Sequence, residues 1–137
     1  MTTTLEKPST APRRSLVHGR LFRFAVTVHA VAAFGQPAFA GAYLSGDIGG
    51  LDWHARGADI VFSLGIGQAL VGSFTSRRMR RWWPFAVSML LVVAESGQYL
   101  AGMEGLLWVH IPLGVMIIAG LAVLSAALWM RQEPAHA

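Results

Sequence analysis

The sequence predicts an all-α membrane protein, a four-transmembrane-helix bundle of up-down-up-down topology. Three observations predict it. Of the 137 residues, 54% are hydrophobic and only 13% charged, a membrane composition. The apolar residues gather into stretches at about 21–45, 57–75, 83–103 and 107–130, each near the roughly 20 helical residues that cross a hydrocarbon core of about 30 Å. Lys and Arg collect beside alternate stretches instead of spreading evenly, so the net charge of +4 is topological and no even basic face for nucleic acid results.

Residues 1–20, rich in Thr, Pro, Ser and Arg, have too little apolar content to fold alone and read as a flexible cytoplasmic tail. The first stretch resembles a signal peptide, with Ala38-Phe39-Ala40 imitating a cleavage site. It is too long for a signal core and carries His29 and Gln36, polar groups a packed helix can use, so it reads as helix 1. Helix 2 offers small residues four apart, Ser63 and Gly67 or Gly65 and Ala69, for close packing. Pro37 falls in helix 1, and Pro112 is expected in the first turn of helix 4. Residues 132–137 form a second cytoplasmic tail.

Lys7, Arg13, Arg14, Arg20 and Arg23 flank helix 1, Arg77, Arg78, Arg80 and Arg81 fill the second connection, and Arg131 follows helix 4. Only Arg56 lies on the opposite side, with Asp47, Asp52 and Glu104. The positive-inside rule then places both termini in the cytoplasm. Trp82, Trp83 and Trp129 mark the inner boundary, Trp53 and Trp108 the outer one. Short connections make consecutive helices antiparallel neighbours, with helices 2 and 4 diagonal.

Soluble-enzyme signatures are absent: there is no phosphate-binding Gly loop, metalloprotease helix motif or nucleophile elbow. The chain has no cysteine, which excludes disulfides, thiolate metal sites, iron–sulfur clusters and thioether-linked haem. Function is sought among polar residues that hydrocarbon would reject: His29 and Gln36 on helix 1, Gln68 on helix 2, Glu95 and Gln98 on helix 3. His29, Ala33, Gln36 and Ala40 share one stripe, and Ser88, Glu95, Gln98 and Gly102 another. Both face the bundle interior. Gln36, Glu95 and Gln98 fall in the outer half, His29 nearer the inner side.

His54 and His110 open helices 2 and 4 in equivalent places, behind Trp53 and Trp108. Facing each other across a bundle they can ligate the iron of one b-type haem, where Gly114 would leave room for the porphyrin and Arg56 could pair with a propionate. The plainer reading is two interfacial polar residues. For His29, a hydrogen bond to Gln68 or a backbone carbonyl is preferred over ligation. Glu95 either orients a ligating imidazole, relays protons, or bonds as a neutral carboxyl to Gln36 or Gln98.

The segments Gln36-Pro37-Ala38-Phe39-Ala40-Gly41, Trp53-His54-Ala55-Arg56-Gly57, Glu95-Ser96-Gly97-Gln98 and Val109-His110-Ile111-Pro112-Leu113-Gly114 resemble small bacterial four-helix membrane proteins of uncharacterised function. More distantly they resemble one half of a haem A synthase or another cytochrome-b-type bundle. The resemblance implies a bacterial inner membrane location and haem held by histidines of helices 2 and 4. Where the synthase pattern has Glu and Arg, this chain has Gly50 and Ala55, so the resemblance does not carry synthase chemistry. Three functions stay open: a single-haem protein for electron transfer or haem handling, with a quinone or redox partner subunit; a non-catalytic membrane subunit or assembly factor without cofactor; and a proton-coupled small transporter, which as four helices would act as an oligomer.

Overall fold

The computed structural model describes residues 11–130, with side chains from Gly19 onward. They form four helices: α1 (Ala11–Leu44), α2 (Gly49–Met79), α3 (Trp83–Met103) and α4 (Leu107–Met130). The expected bounds of the last two are those observed. The first two helices are longer than expected. Residues 11–20 belong to α1 and not to a flexible tail, while residues 1–10 and 132–137 lie outside the described residues. In α2, the polar residues Asp52, His54 and Arg56 hide the first two turns from a hydropathy reading. Asp52 nonetheless stands in the first turn, where a carboxylate complements the helix dipole.

Helix ends follow from local chemistry. Gly46 and Gly105 adopt φ of 99° and 68° just past α1 and α3, a left-handed geometry that glycine enters without a Cβ penalty. Asp47 Oδ1 accepts the Gly49 N–H at 2.9 Å and starts α2. Arg80 closes that helix in the left-handed region, its N–H reaching Ser76 O. Ser76 Oγ in turn accepts the Phe85 N–H at 3.0 Å, so α2 satisfies a donor at the start of α3. Pro112 sits in the second turn of α4, one turn deeper than expected.

The helices form a four-helix bundle in which α1 and α3 each pack on both α2 and α4. Small residues set the spacing. A Cβ on Gly50 would lie 2.9 Å from Phe39 O, and one on Gly72 2.8 Å from Pro84 O, so both glycines mark backbone-to-backbone approach. Of the two small-residue pairs foreseen on α2, Gly65 and Ala69 are buried, whereas Ser63 is exposed and Gly67 meets open space.

Polarity runs inside out. The buried apolar cluster is modest, built from Ala30, Ala33, Val61, Ile117 and Leu121. Beside it His29, Gln68, Thr75, Ser88 and Glu95 are buried, while Phe24, Phe34, Leu70, Phe74, Leu90, Val115 and Met116 face outward. Water would not leave such an exterior uncovered. All four helices have the length and apolarity of membrane spans, which is the build of a multi-pass membrane protein.

Candidate functional site

Two polar assemblies occupy the interior. The first is a directional chain. Ser88 Oγ donates to Pro84 O at 2.8 Å, which leaves its lone pair to accept from Gln68 Nε2 at 3.3 Å. The Gln68 oxygen therefore points the other way and accepts from His29 Nδ1 at 3.0 Å. With Nδ1 protonated, the opposite ring nitrogen of His29 faces Glu95 Oε1 at 3.0 Å. The contact lacks the alignment of a full hydrogen bond.

The hydrogen bond expected between His29 and Gln68 is present. Two other expectations are corrected. Glu95 engages His29, neither orienting His54 or His110 nor bonding to Gln36 or Gln98. His29 stands level with Glu95 and not at a separate inner depth, because α1 continues far past His29 to Leu44 while α3 ends at Met103, soon after Glu95. Gly65 makes room for the pair: a Cβ there would overlap Glu95 Oε2 and lie 3.3 Å from His29 Cε1.

The second assembly is the histidine pair. His54 and His110 face each other with ring centroids 5.9 Å apart and planes at 74°. His54 Nδ1 donates to the backbone carbonyl of Gln36 at 3.2 Å, and His110 Nδ1 donates to that of Gln98 at 2.9 Å. A carbonyl can only accept, so each Nδ1 carries a proton, and the neutral form of each imidazole presents its lone pair at Nε2. The α1–α2 and α3–α4 pairs thus build one device twice. In each, a glutamine carbonyl holds an imidazole from the following helix, and the glutamine side chain fills a glycine notch there. The Gln36 amide occupies the space a Cβ on Gly57 would take, and Gln98 Nε2 lies 2.7 Å from where a Cβ on Gly114 would be. Gly102 faces the imidazole of His110, 2.8 Å from its Cε1 by the same measure.

Between these groups lies a cavity of about 80 Å³, lined by Gln36, His54, Val61, Glu95, Gln98 and His110 among others. Glu95 borders it, so the chain from Ser88 ends at the histidine chamber. The oxygens Gln36 Oε1, Gln98 Oε1 and Glu95 Oε2 are buried without a hydrogen-bond partner, a state that buried polar atoms rarely keep.

The donor set was tested against haem. An iron about 2 Å from each nitrogen, as imidazole–metal bonds run, needs ring centres about 6 Å apart, close to those observed. The space between the rings is not clear: the cavity of about 80 Å³ is well below the roughly 300–1,000 Å³ of small-molecule sites, and Gln98 Nε2 lies 3.4 Å from His110 Nε2, where a metal would bind. Room at Gly114 is taken by Gln98. Arg56 is exposed, its guanidinium 5.7 Å from the Trp53 ring, and does not line the chamber. Among the described residues there is no group of three or more His, Asp or Glu that could hold a bare metal ion. The ring-centre spacing is compatible with two imidazole ligands to one metal, while the space beside them is occupied by Gln36 and Gln98.

Sequence reasoning missed the main-chain tethers, because carbonyl direction has no residue signature. It also passed over Asp59, an exposed carboxylate on α2 whose Oδ1 accepts the Tyr99 hydroxyl at 2.8 Å. Its signal was available: a charged residue inside an otherwise apolar stretch.

No family model, curated protein or solved structure matches this chain. What fold and site define is a class: an all-helical, multi-pass protein that turns an apolar surface outward and encloses a tethered histidine pair.

Proposed function

We propose that this protein is an inner-membrane protein of up-down-up-down topology, with both termini cytoplasmic, that binds one b-type haem between His54 and His110. Its role is electron transfer or haem handling, with a quinone or a redox partner subunit as the other station. The observation that carries the proposal is the matched pair of imidazoles, each anchored through Nδ1 so that Nε2 is the nitrogen offered to a metal. Haem, when bound, supplies one-electron chemistry. Glu95 and His29 lie beside the chamber, and Gln36 and Gln98, which fill the notches at Gly57 and Gly114, would have to give way to the group.

A reading without cofactor, as a membrane subunit or assembly factor, draws on the small cavity and on the contact between Gln98 and His110 Nε2. The two separate in a reduced-minus-oxidised optical spectrum of detergent-purified protein from cells supplied with a haem precursor. A six-coordinate b-type spectrum, lost or altered in His54→Ala and in His110→Ala, is expected. Folded protein without Soret absorbance would leave the cofactor-free reading.

A further inference from the structure

On the outside, α2 and α3 border a groove of about 620 Å³ lined by Asp59, Phe62, Ser63, Ser96, Tyr99 and Leu100. We propose that this groove binds the ring of a membrane-soluble quinol that enters sideways from the bilayer. The redox character of the ligand rests on the haem reading.

Size and chemistry agree. The volume is that of small-molecule sites, about 300–1,000 Å³, which combine apolar walls with a few convergent polar groups. Here the flat walls are Phe62 and Tyr99, with rings 6.1 Å apart at 45°, and Leu100 adds aliphatic surface. The polar end is the Asp59 carboxylate. Ser63 Oγ and Ser96 Oγ spend their protons on Asp59 O at 2.7 Å and Val92 O at 2.8 Å, which leaves them as acceptors. Among the described residues Asp59 has one hydrogen-bond donor, the Tyr99 hydroxyl. The groove is therefore rich in acceptors and short of donors, a match for a ligand bearing O–H groups and a mismatch for an acyl chain.

Depth adds to this. At about 1.5 Å per residue, Asp59 lies about 9 Å along α2 from Trp53, below the outer aromatic boundary. A carboxylate turned outward at that level meets hydrocarbon unless a polar ligand covers it. Phe62 and Tyr99 also line the histidine chamber, so a ring seated here is separated from His54 and His110 by the side chains that hold it.

The test is crosslinking of a photoreactive azidoquinol to the full chain in anaerobic nanodiscs, mapped by mass spectrometry, with decylubiquinol as competitor. Label on residues 59–63 or 96–100, displaced by competitor and weakened about tenfold in Asp59→Asn, is expected from loss of one charge-assisted hydrogen bond. Tyr99→Phe, which frees Asp59 of its one donor, does not weaken it. Label spread evenly over exposed faces, or unchanged in Asp59→Asn, overturns the proposal. So does quantitative intermolecular disulfide formation by Ser63→Cys, which would give the groove to a second copy. The same labelling in the His54→Ala/His110→Ala double variant keeps the outcomes apart: specific label there supports the groove whatever the haem spectrum shows.

Discussion

His29 and Glu95 meet at 3.0 Å in the middle of the bundle, both almost fully shielded from solvent. Helices α1 and α3 are joined by this contact, and Gln68 joins α2 to it through His29.

Removing one partner strands the other. Glu95→Leu is expected to destabilise the protein by about 3–5 kcal/mol, the cost of a broken buried pair. The double variant His29→Leu/Glu95→Leu should recover part of that loss, because only Gln68 Oε1, which loses its donor, is then left unpaired there. Thermal unfolding of single and double variants, read as a double-mutant cycle, checks this; strictly additive losses would show that the two side chains do not interact.

Two glycines two positions apart on α2 should behave oppositely. Gly65→Ala drives a methyl into Glu95 Oε2 and toward His29 Cε1, with an expected cost of about 1–3 kcal/mol from overpacking. Gly67→Ala meets nothing within 4 Å and should be neutral or stabilising by up to about 1 kcal/mol. Equal effects on unfolding temperature would contradict the packing of α2 described here.

Thr27 is the hub of the α1–α4 contact near Arg23. Its Oγ1 donates to Arg23 O at 2.9 Å, lies 3.0 Å from Ser125 Oγ, and accepts the Trp129 Nε1–H at 2.9 Å. Arg23 also sits 5.1 Å from the Trp129 ring centre. Thr27→Val keeps the shape and removes the hub, so a loss of about 1–2 kcal/mol is expected. Trp129 emission should report the changed surroundings, and an unchanged spectrum with unchanged stability would exclude the network.

Because the chain has no cysteine, single cysteines report orientation directly. Ser45→Cys, between α1 and α2, is expected to react with a membrane-impermeant maleimide in intact cells. Arg78→Cys, at the arginine-rich connection, should react only after lysis. The reverse pattern would invert the proposed topology.

How much was legible in the sequence depended on the kind of interaction. Hydropathy located α3 and α4 fully, since their polar residues lie inside the spans, and it shortened α2, whose first turns carry Asp52, His54 and Arg56. The stripe through His29 was readable from period alone. Its partner was half readable: Gln68 was foreseen, while Glu95 was assigned elsewhere because relative depth depends on how far each helix overruns its neighbours. The proximity of His54 and His110 was legible from their matched positions. The filling of the Gly57 and Gly114 notches by Gln36 and Gln98 was not, because side-chain direction at a notch is decided only when two helices are brought together.

The anchors of the two imidazoles are peptide carbonyls, a group that every residue carries. Exchange of Gln36 or Gln98 for another helix-compatible residue therefore leaves both anchors available and changes only what fills the notches. The pocket can diverge in its letters while its shape is inherited through the main chain. Chains sharing this arrangement are better sought by two histidines, each opening a helix and facing small residues, than by overall identity.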